Sequence, residues 1–118
     1  MVTKKDDEKK DKSDFKEPFD KFIHEPSRLK IMAQLYVVDS EDFIALKVQT
    51  GLTWGNLSSH ISKLEEKGYI NVKKEFKGKK PRSWASLTSK GKEAFEAYMK
   101  SMQGFLTEKA EQGKKKKN

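Results

Sequence analysis

The chain has 118 residues, with 26 Lys or Arg against 18 Asp or Glu and a net charge of +8. Hydrophobic residues make up 34%, with seven Phe, three Tyr and two Trp, which suits one small core or a protomer that completes its core by association. The absence of cysteine excludes disulfides, thiolate metal sites and cysteine nucleophiles. The two histidines, His24 and His60, are too few for a multi-histidine metal site, and no apolar run approaches the about 18 residues of a membrane span.

The opening MVTKKDDEKK has no apolar stretch of the kind that begins a secretory signal, so a cytoplasmic protein is expected. Residues 1–14 alternate lysine with acid and have almost no apolar content. They are read as a disordered, charged N-terminus. From Pro18 the apolar residues Phe19, Phe22 and Ile23 stand at i, i+3, i+4, which predicts a short amphipathic helix ending at His24. Pro26 fits the first turn of a second helix, whose stripe of Leu29, Met32, Leu35 and Tyr36 runs to about Val38. Asp39-Ser40-Glu41-Asp42 then reads as a polar break. A third helix follows over about 43–50, with Phe43, Ile44, Leu46 and Val48 as candidates for burial and Gly51 at its C-terminal cap.

Thr53 is a good N-cap for a fourth helix, Trp54 to Lys67, stopped by Gly68. Leu57, Ile61 and Leu64 mark its core edge. At 100° per residue Gly55, Asn56, Ser59, Ser62, Lys63 and Glu66 fall on the opposite half. From Tyr69 the period becomes two, with Ile70 and Val72 inward. Lys77-Gly78-Lys79-Lys80-Pro81 is a turn signal, and Arg82 to Thr88 is the return strand, with Ala85 and Leu87 inward. Ser89 can cap a last helix over about 89–110, in which Phe95, Tyr98, Met102 and Phe105 step by 3, 4 and 3 as in a coiled-coil seam that Met99 and Leu106 widen. Residues 112–118 are read as a basic, disordered tail, so the folded unit is expected to span 15–111.

The order helix, helix, glycine turn, helix, hairpin is that of a winged helix-turn-helix, mainly α with a small β-hairpin. The stretches GLTWGNLSSHISKLEEKGYI (51–70), KKEFKGKKPRSWASLTSKGKEAF (73–95) and FDKFIHEPSRLKIMAQL (19–35) resemble small winged-helix transcriptional regulators of the MarR/ArsR superfamily, over roughly residues 18–106. Two departures stand out. Lys47 occupies the position four before the turn glycine where many such units carry a small residue, and the metal-sensing members' cysteines and histidine clusters are absent, so metal-regulated derepression is not expected.

The charge is concentrated. Residues 53–92 carry ten basic and three acidic residues, a net +7, and Lys114 to Lys117 add four more, while the rest is close to neutral or slightly acidic. The fourth helix presents short donors and acceptors where a solvated helix would carry Lys and Glu, which suits base edges in a major groove. Asn56 could bond adenine or a phosphate, Ser58, Ser59 and Ser62 could reach either, and Lys63 suits a phosphate or guanine. The helix start at Thr53, Trp54 and Gly55 offers amide groups to a phosphate. Lys77, Lys79, Lys80 and Arg82 make the hairpin a basic wing for the backbone or minor groove. Trp54 and Trp84 are either packing residues or nucleic-acid contacts, and His60 is a partly buried hydrogen-bonding residue in preference to a base contact.

The aromatic residues Phe19, Phe22, Phe95, Tyr98 and Phe105, with Met99, Met102 and Leu106, are expected to join two protomers through the N- and C-terminal helices, an arrangement the resemblance also implies. The alternative is packing of the last helix on the first within one chain. The expected function is a dimeric, sequence-specific regulator bound to double-stranded DNA, most simply a repressor, with no catalytic residue, metal or cofactor. A protein-interaction module and a non-specific architectural binder of nucleic acid are the alternatives. The resemblance allows a small-molecule effector, although no residue marks its pocket.

Overall fold

The computed structural model describes residues 19–117. Its elements are α1 (Pro26–Val37), β1 (Glu41–Asp42), α2 (Phe43–Thr50), α3 (Trp54–Lys67), β2 (Ile70–Lys77), β3 (Lys80–Leu87) and α4 (Ser89–Lys117). The fold is the expected winged helix, mainly α with a hairpin wing. None of the helices among the described residues is long and apolar enough to cross a membrane.

The caps explain the boundaries. Glu25 opens α1 by accepting from the Arg28 amide at 2.8 Å, and Pro26 takes the first helical position. Asp42 Oδ1 accepts from the Ala45 amide at 2.8 Å to open α2, and Gly51, at φ 72°, closes it. Thr53 Oγ1 accepts from the Asn56 amide at 3.1 Å, and Gly68, at φ 85°, ends α3. Both glycines stand in the left-handed region that a side chain would oppose.

Four expectations about local structure are corrected. Residues 19–24 form a hydrogen-bonded turn, not a helix; Pro18 lies outside the described residues. Asp20 Oδ1 takes the amides of Phe22 at 2.7 Å and Ile23 at 3.3 Å, which offers the backbone an alternative to a helical ladder. Polar residues 39–42 are not merely a break, because Glu41 and Asp42 pair with Ala85 and Trp84 as a third strand. The last helix is capped by Thr88, not Ser89: Thr88 Oγ1 accepts from the Gly91 amide at 2.9 Å and donates to the Gly68 carbonyl at 2.6 Å. That hydroxyl joins the end of α3 to the start of α4. The helix also continues through the segment expected to be a loose tail, as far as Lys117. Glu111, Gln112 and the lysines are good helix formers, and the cations suit the C-terminal end of a helix dipole.

The sheet order is β1-β3-β2, antiparallel, with Ile70 opposite Leu87 and Val72 opposite Ala85, the pairing the alternation predicts. The core is Ile23, Ile31, Met32, Leu35, Leu46, Leu57, Ile61, Leu64, Ile70, Ala85, Phe95 and Tyr98, closed over by Leu52 and Tyr69. Ile44 and Val48, expected inside, are exposed. On an eight-residue helix they lie roughly opposite Leu46 and Thr50, and only that latter side meets the core.

Candidate nucleic-acid interface

The face of α3 away from Leu57, Ile61 and Leu64 is open along its length. Thr53, Trp54, Gly55, Asn56, Ser58, Ser59, Ser62 and Lys63 are all exposed, so the residues singled out for base and phosphate contact share one accessible surface. The Asn56 amide is taken by the Thr53 cap. The amides of Trp54 and Gly55 are therefore the ones that helix geometry leaves for an external acceptor. Lys47 holds its ammonium 5.6 Å from the centre of the Trp54 ring, a cation–π contact that brings α2 and α3 together beside this helix start.

His60 lies on the flank of α3 and turns inward. Its Nδ1 is 3.2 Å from Arg28 Nη1 and 3.9 Å from Glu25 Oε1, and Arg28 donates from Nε to the Phe22 carbonyl at 2.7 Å while stacking over the Phe22 ring at 4.3 Å. This cluster braces α3 against the chain entering α1. His60 is a hydrogen-bonding support of α3, in line with the sequence reading.

The wing is a two-residue hairpin. Lys77 pairs with Lys80 across Gly78 and Lys79, and Gly78 has φ 64° while no non-glycine residue among those described has positive φ. Glycine alone at the first turn position is the signature of a type II′ turn, whose twist suits the strands. Lys73, Lys74, Lys79 and Lys80 are exposed, and the acidic Glu75 sits 3.4 Å from Lys73.

Arg82 differs from the other wing cations. Its Nη1 donates to Asp42 Oδ2 at 2.8 Å, so part of the guanidinium braces the wing against the start of α2. Asp42, which sequence reasoning passed over, therefore caps α2 and also anchors the wing. Its signal was an Asp directly before an apolar run, the usual mark of an N-cap. Phe76 was also passed over, although it continues the inward alternation of Ile70 and Val72. Trp84 lies on the central strand opposite Asp42 and Lys73, with its Nε1 buried and unbonded by any described residue.

The residues expected at a dimer interface divide into two groups. Phe95 and Tyr98 are only 5% and 6% exposed and belong to the core of a single chain. Phe95 packs 5.2 Å from Tyr36 of α1, and the Tyr98 hydroxyl is 2.8 Å from His24 Nδ1. Phe19 stacks on His24 at 4.0 Å and meets Phe105 edge-on at 6.0 Å, while Phe22 meets Tyr69 edge-on at 5.9 Å. For these residues the intrachain alternative holds, because α1 and the turn before it cover the inner side of α4. Met99 and Leu106 remain 39% and 57% exposed. With Tyr98, Met102, Gln103 and Thr107 they line an open apolar groove of about 440 Å³.

An exposed helix that follows a tight glycine turn, beside a basic hairpin held to the same core, defines a winged-helix nucleic-acid-binding domain. Residues 27–106 match the family model described as a winged helix DNA-binding domain, and the chain belongs to that family. An uncharacterized protein of Methanocaldococcus jannaschii is 37% identical over 79 residues, which cover 67% of this chain and 86% of the relative. The transcriptional regulator homologue from Pyrococcus horikoshii superposes with a TM-score of 0.69 at 29% identity, over 73% of this chain and 85% of that one. A MarR-family transcriptional regulator from Silicibacter pomeroyi has the same fold, with a TM-score of 0.57 at 18% identity over 68% of this chain and 53% of that one. The chain is thus a winged-helix DNA-binding protein whose fold is shared by transcriptional regulators, a MarR-family one among them.

Proposed function

We propose that this chain binds specific sites on double-stranded DNA as a cytoplasmic homodimer and represses transcription by occluding promoters. The observation that carries this reading is the exposed row of short hydrogen-bonding side chains on α3. Asn56, Ser59 and Ser62 leave the helix narrow enough to reach base edges, and Gly55 opens the approach at its start. A binder that used charge alone would gain from lysines there. The wing supplies the other half of the mechanism, with Lys79 and Lys80 holding phosphates and setting the depth and register of α3 in the groove.

The dimer is supported by the outer stripe of Met99, Met102 and Leu106 on α4, continuous with an exposed helical end. Two copies packed along this stripe would present two recognition helices to half-sites about 10 bp apart, one turn of the duplex. The Pyrococcus horikoshii relative, described as a transcriptional regulator homologue, agrees with this role.

Selection of bound sequences from a random duplex pool by the full chain tests the proposal. A shared, pseudo-palindromic motif is expected. Asn56→Ala or Ser59→Ala should lower discrimination at one position of it by roughly 1–3 kcal/mol per lost base contact, whereas Lys79→Ala should weaken binding to every duplex and reduce the salt slope by about one. Recovery of no common motif would overturn sequence-specific regulation in favour of architectural binding.

A further inference from the structure

Phe76 is 73% exposed, near the tip of the wing. Its position follows from the strand period. Ile70, Val72, Lys74 and Phe76 share the face of β2 that looks towards the core, and their burial falls away along the strand from fully buried Ile70 through half-buried Val72 to exposed Lys74 and Phe76. Phe76 stands about 13 Å beyond Val72. The apolar stripe thus continues past the end of the helical layer, with nothing among the described residues to cover it.

Directly opposite Phe76 on β3 is Pro81. Because Lys77 and Lys80 close the two-residue turn as a hydrogen-bonded pair, the next pair out is a non-hydrogen-bonded one. Pro81 therefore takes no donor from the ladder, and its ring stands at the closest cross-strand spacing to the phenyl ring, about 4.5 Å between Cα atoms. The result is a short, stiff apolar edge with Lys74 behind it on the same face and Lys79 and Lys80 at the tip. The acidic neighbour, Glu75, points to the other face and is paired with Lys73.

An exposed phenyl ring ringed by lysines is poorly suited to a second copy of this chain, since two such tips would repel each other. A groove walled by phosphates, with an apolar interior of sugar and base faces, complements both features. We infer that Phe76, backed by Pro81, is a minor-groove wedge that enters at a base step beside the sequence read by α3, partly unstacks it and bends the duplex. This rests on the DNA-binding reading above and adds a contact that charge alone does not supply. Flexible pyrimidine–purine steps, TA and CA/TG, are the favoured entry points because they unstack at least cost.

The test uses the full chain and a 40-bp duplex carrying the sequence it selects, with 2-aminopurine placed in turn at each step on both flanks. Wild type should raise the fluorescence at one step in each flank. Phe76→Ala should abolish that signal and bind roughly tenfold more weakly with an unchanged salt slope, since an aromatic stacking contact and not a phosphate contact is lost. Lys79→Ala should do the reverse, keeping the signal and lowering the slope. Equal melting temperatures for wild type and Phe76→Ala would exclude misfolding, as the exposure of the ring leads one to expect. Tight, sequence-selective binding with no fluorescence change at any step, or an unaltered affinity in Phe76→Ala, would overturn the wedge alone. Failure of the wild-type chain to bind any duplex would overturn the DNA-binding reading and the wedge with it.

Discussion

Arg82 of the wing donates to one oxygen of Asp42 at 2.8 Å while the other oxygen of the same carboxylate caps α2. One short side chain thus couples the wing to α2, the helix that precedes α3. Asp42→Ala removes both functions and should cost about 1–2 kcal/mol, most of it from the cap. Arg82→Ala leaves the cap intact and should cost under about 1 kcal/mol, because the guanidinium is half-buried and partly screened by solvent. Urea unfolding of the two single variants and the double variant isolates the coupling. A cost for Arg82→Ala equal to that for Asp42→Ala would show that the pair, not the cap, dominates. Since Arg82 is held in this way, its removal should also flatten the salt slope of DNA binding less than removal of Lys79 does.

This pair also marks where sequence reasoning stops. The bounds of α3 were legible because Thr53 and Gly68 are local signals with one physical meaning each, and the register of the wing was legible because a period of two admits only one inward set. The exposed serines and Asn56 followed from the same angular arithmetic. Contacts between distant residues left no such trace. Arg82 and Asp42 are forty positions apart, and a two-residue β1 exists only through its pairing with β3. The side of α4 that α1 would cover was equally hidden, because a 3-4-3 apolar spacing fits an intrachain neighbour as well as a second copy. In the Phe19–His24 turn, apolar periodicity pointed to a helix, and the side chain of Asp20 overrode it.

Gly91 shows a second constraint that no propensity reveals. A Cβ there would lie 2.0 Å from the carbonyl oxygen of Tyr69, which already accepts from the Thr88 amide at 3.0 Å. The obstacle is backbone, so it cannot rotate away, and the start of α4 would have to lift off the α3–β2 junction. Gly91→Ala should therefore destabilise the fold by roughly 1–3 kcal/mol, despite alanine's better helix propensity. Thermal unfolding reads the effect, and a neutral or stabilising outcome would contradict the close approach.

Alkaline pH should act on the core through its tyrosines. Burial raises the pKa of Tyr69 above the ordinary value, with Asp20 adding to it through its charge and a 3.4 Å hydrogen bond. Burial alone raises Tyr98, and the hydrogen bond to Glu96 is the main cause for Tyr36. In each case the folded state holds the phenol proton more tightly than the unfolded chain does. Their contribution to stability is therefore complete at neutral pH and is lost as pH rises past about 10 and on through the raised values. Urea midpoints measured from pH 7 to 11 should stay level with respect to these groups and then fall. Tyr69→Phe should lessen the fall, and an identical alkaline limb in that variant would remove Tyr69 from the account.

The proposed dimer makes a prediction that the division of α4 sharpens. Phe95 and Tyr98 face their own chain, so a lysine at Phe95 would unfold the protomer and say nothing about association. On α4, Leu106 and Met99 are the large apolar residues that stay exposed among the described residues. Leu106→Lys should leave the monomer's melting behaviour close to that of wild type, since the side chain gives up little burial on substitution. It should nevertheless lower the sedimenting mass from two chains to one at micromolar concentration, because two lysines would then face each other across a twofold axis. DNA affinity should fall with it, as each half-site would be bound without the other. An unchanged mass in Leu106→Lys and in Met99→Lys would move the dimer contact off this stripe of α4.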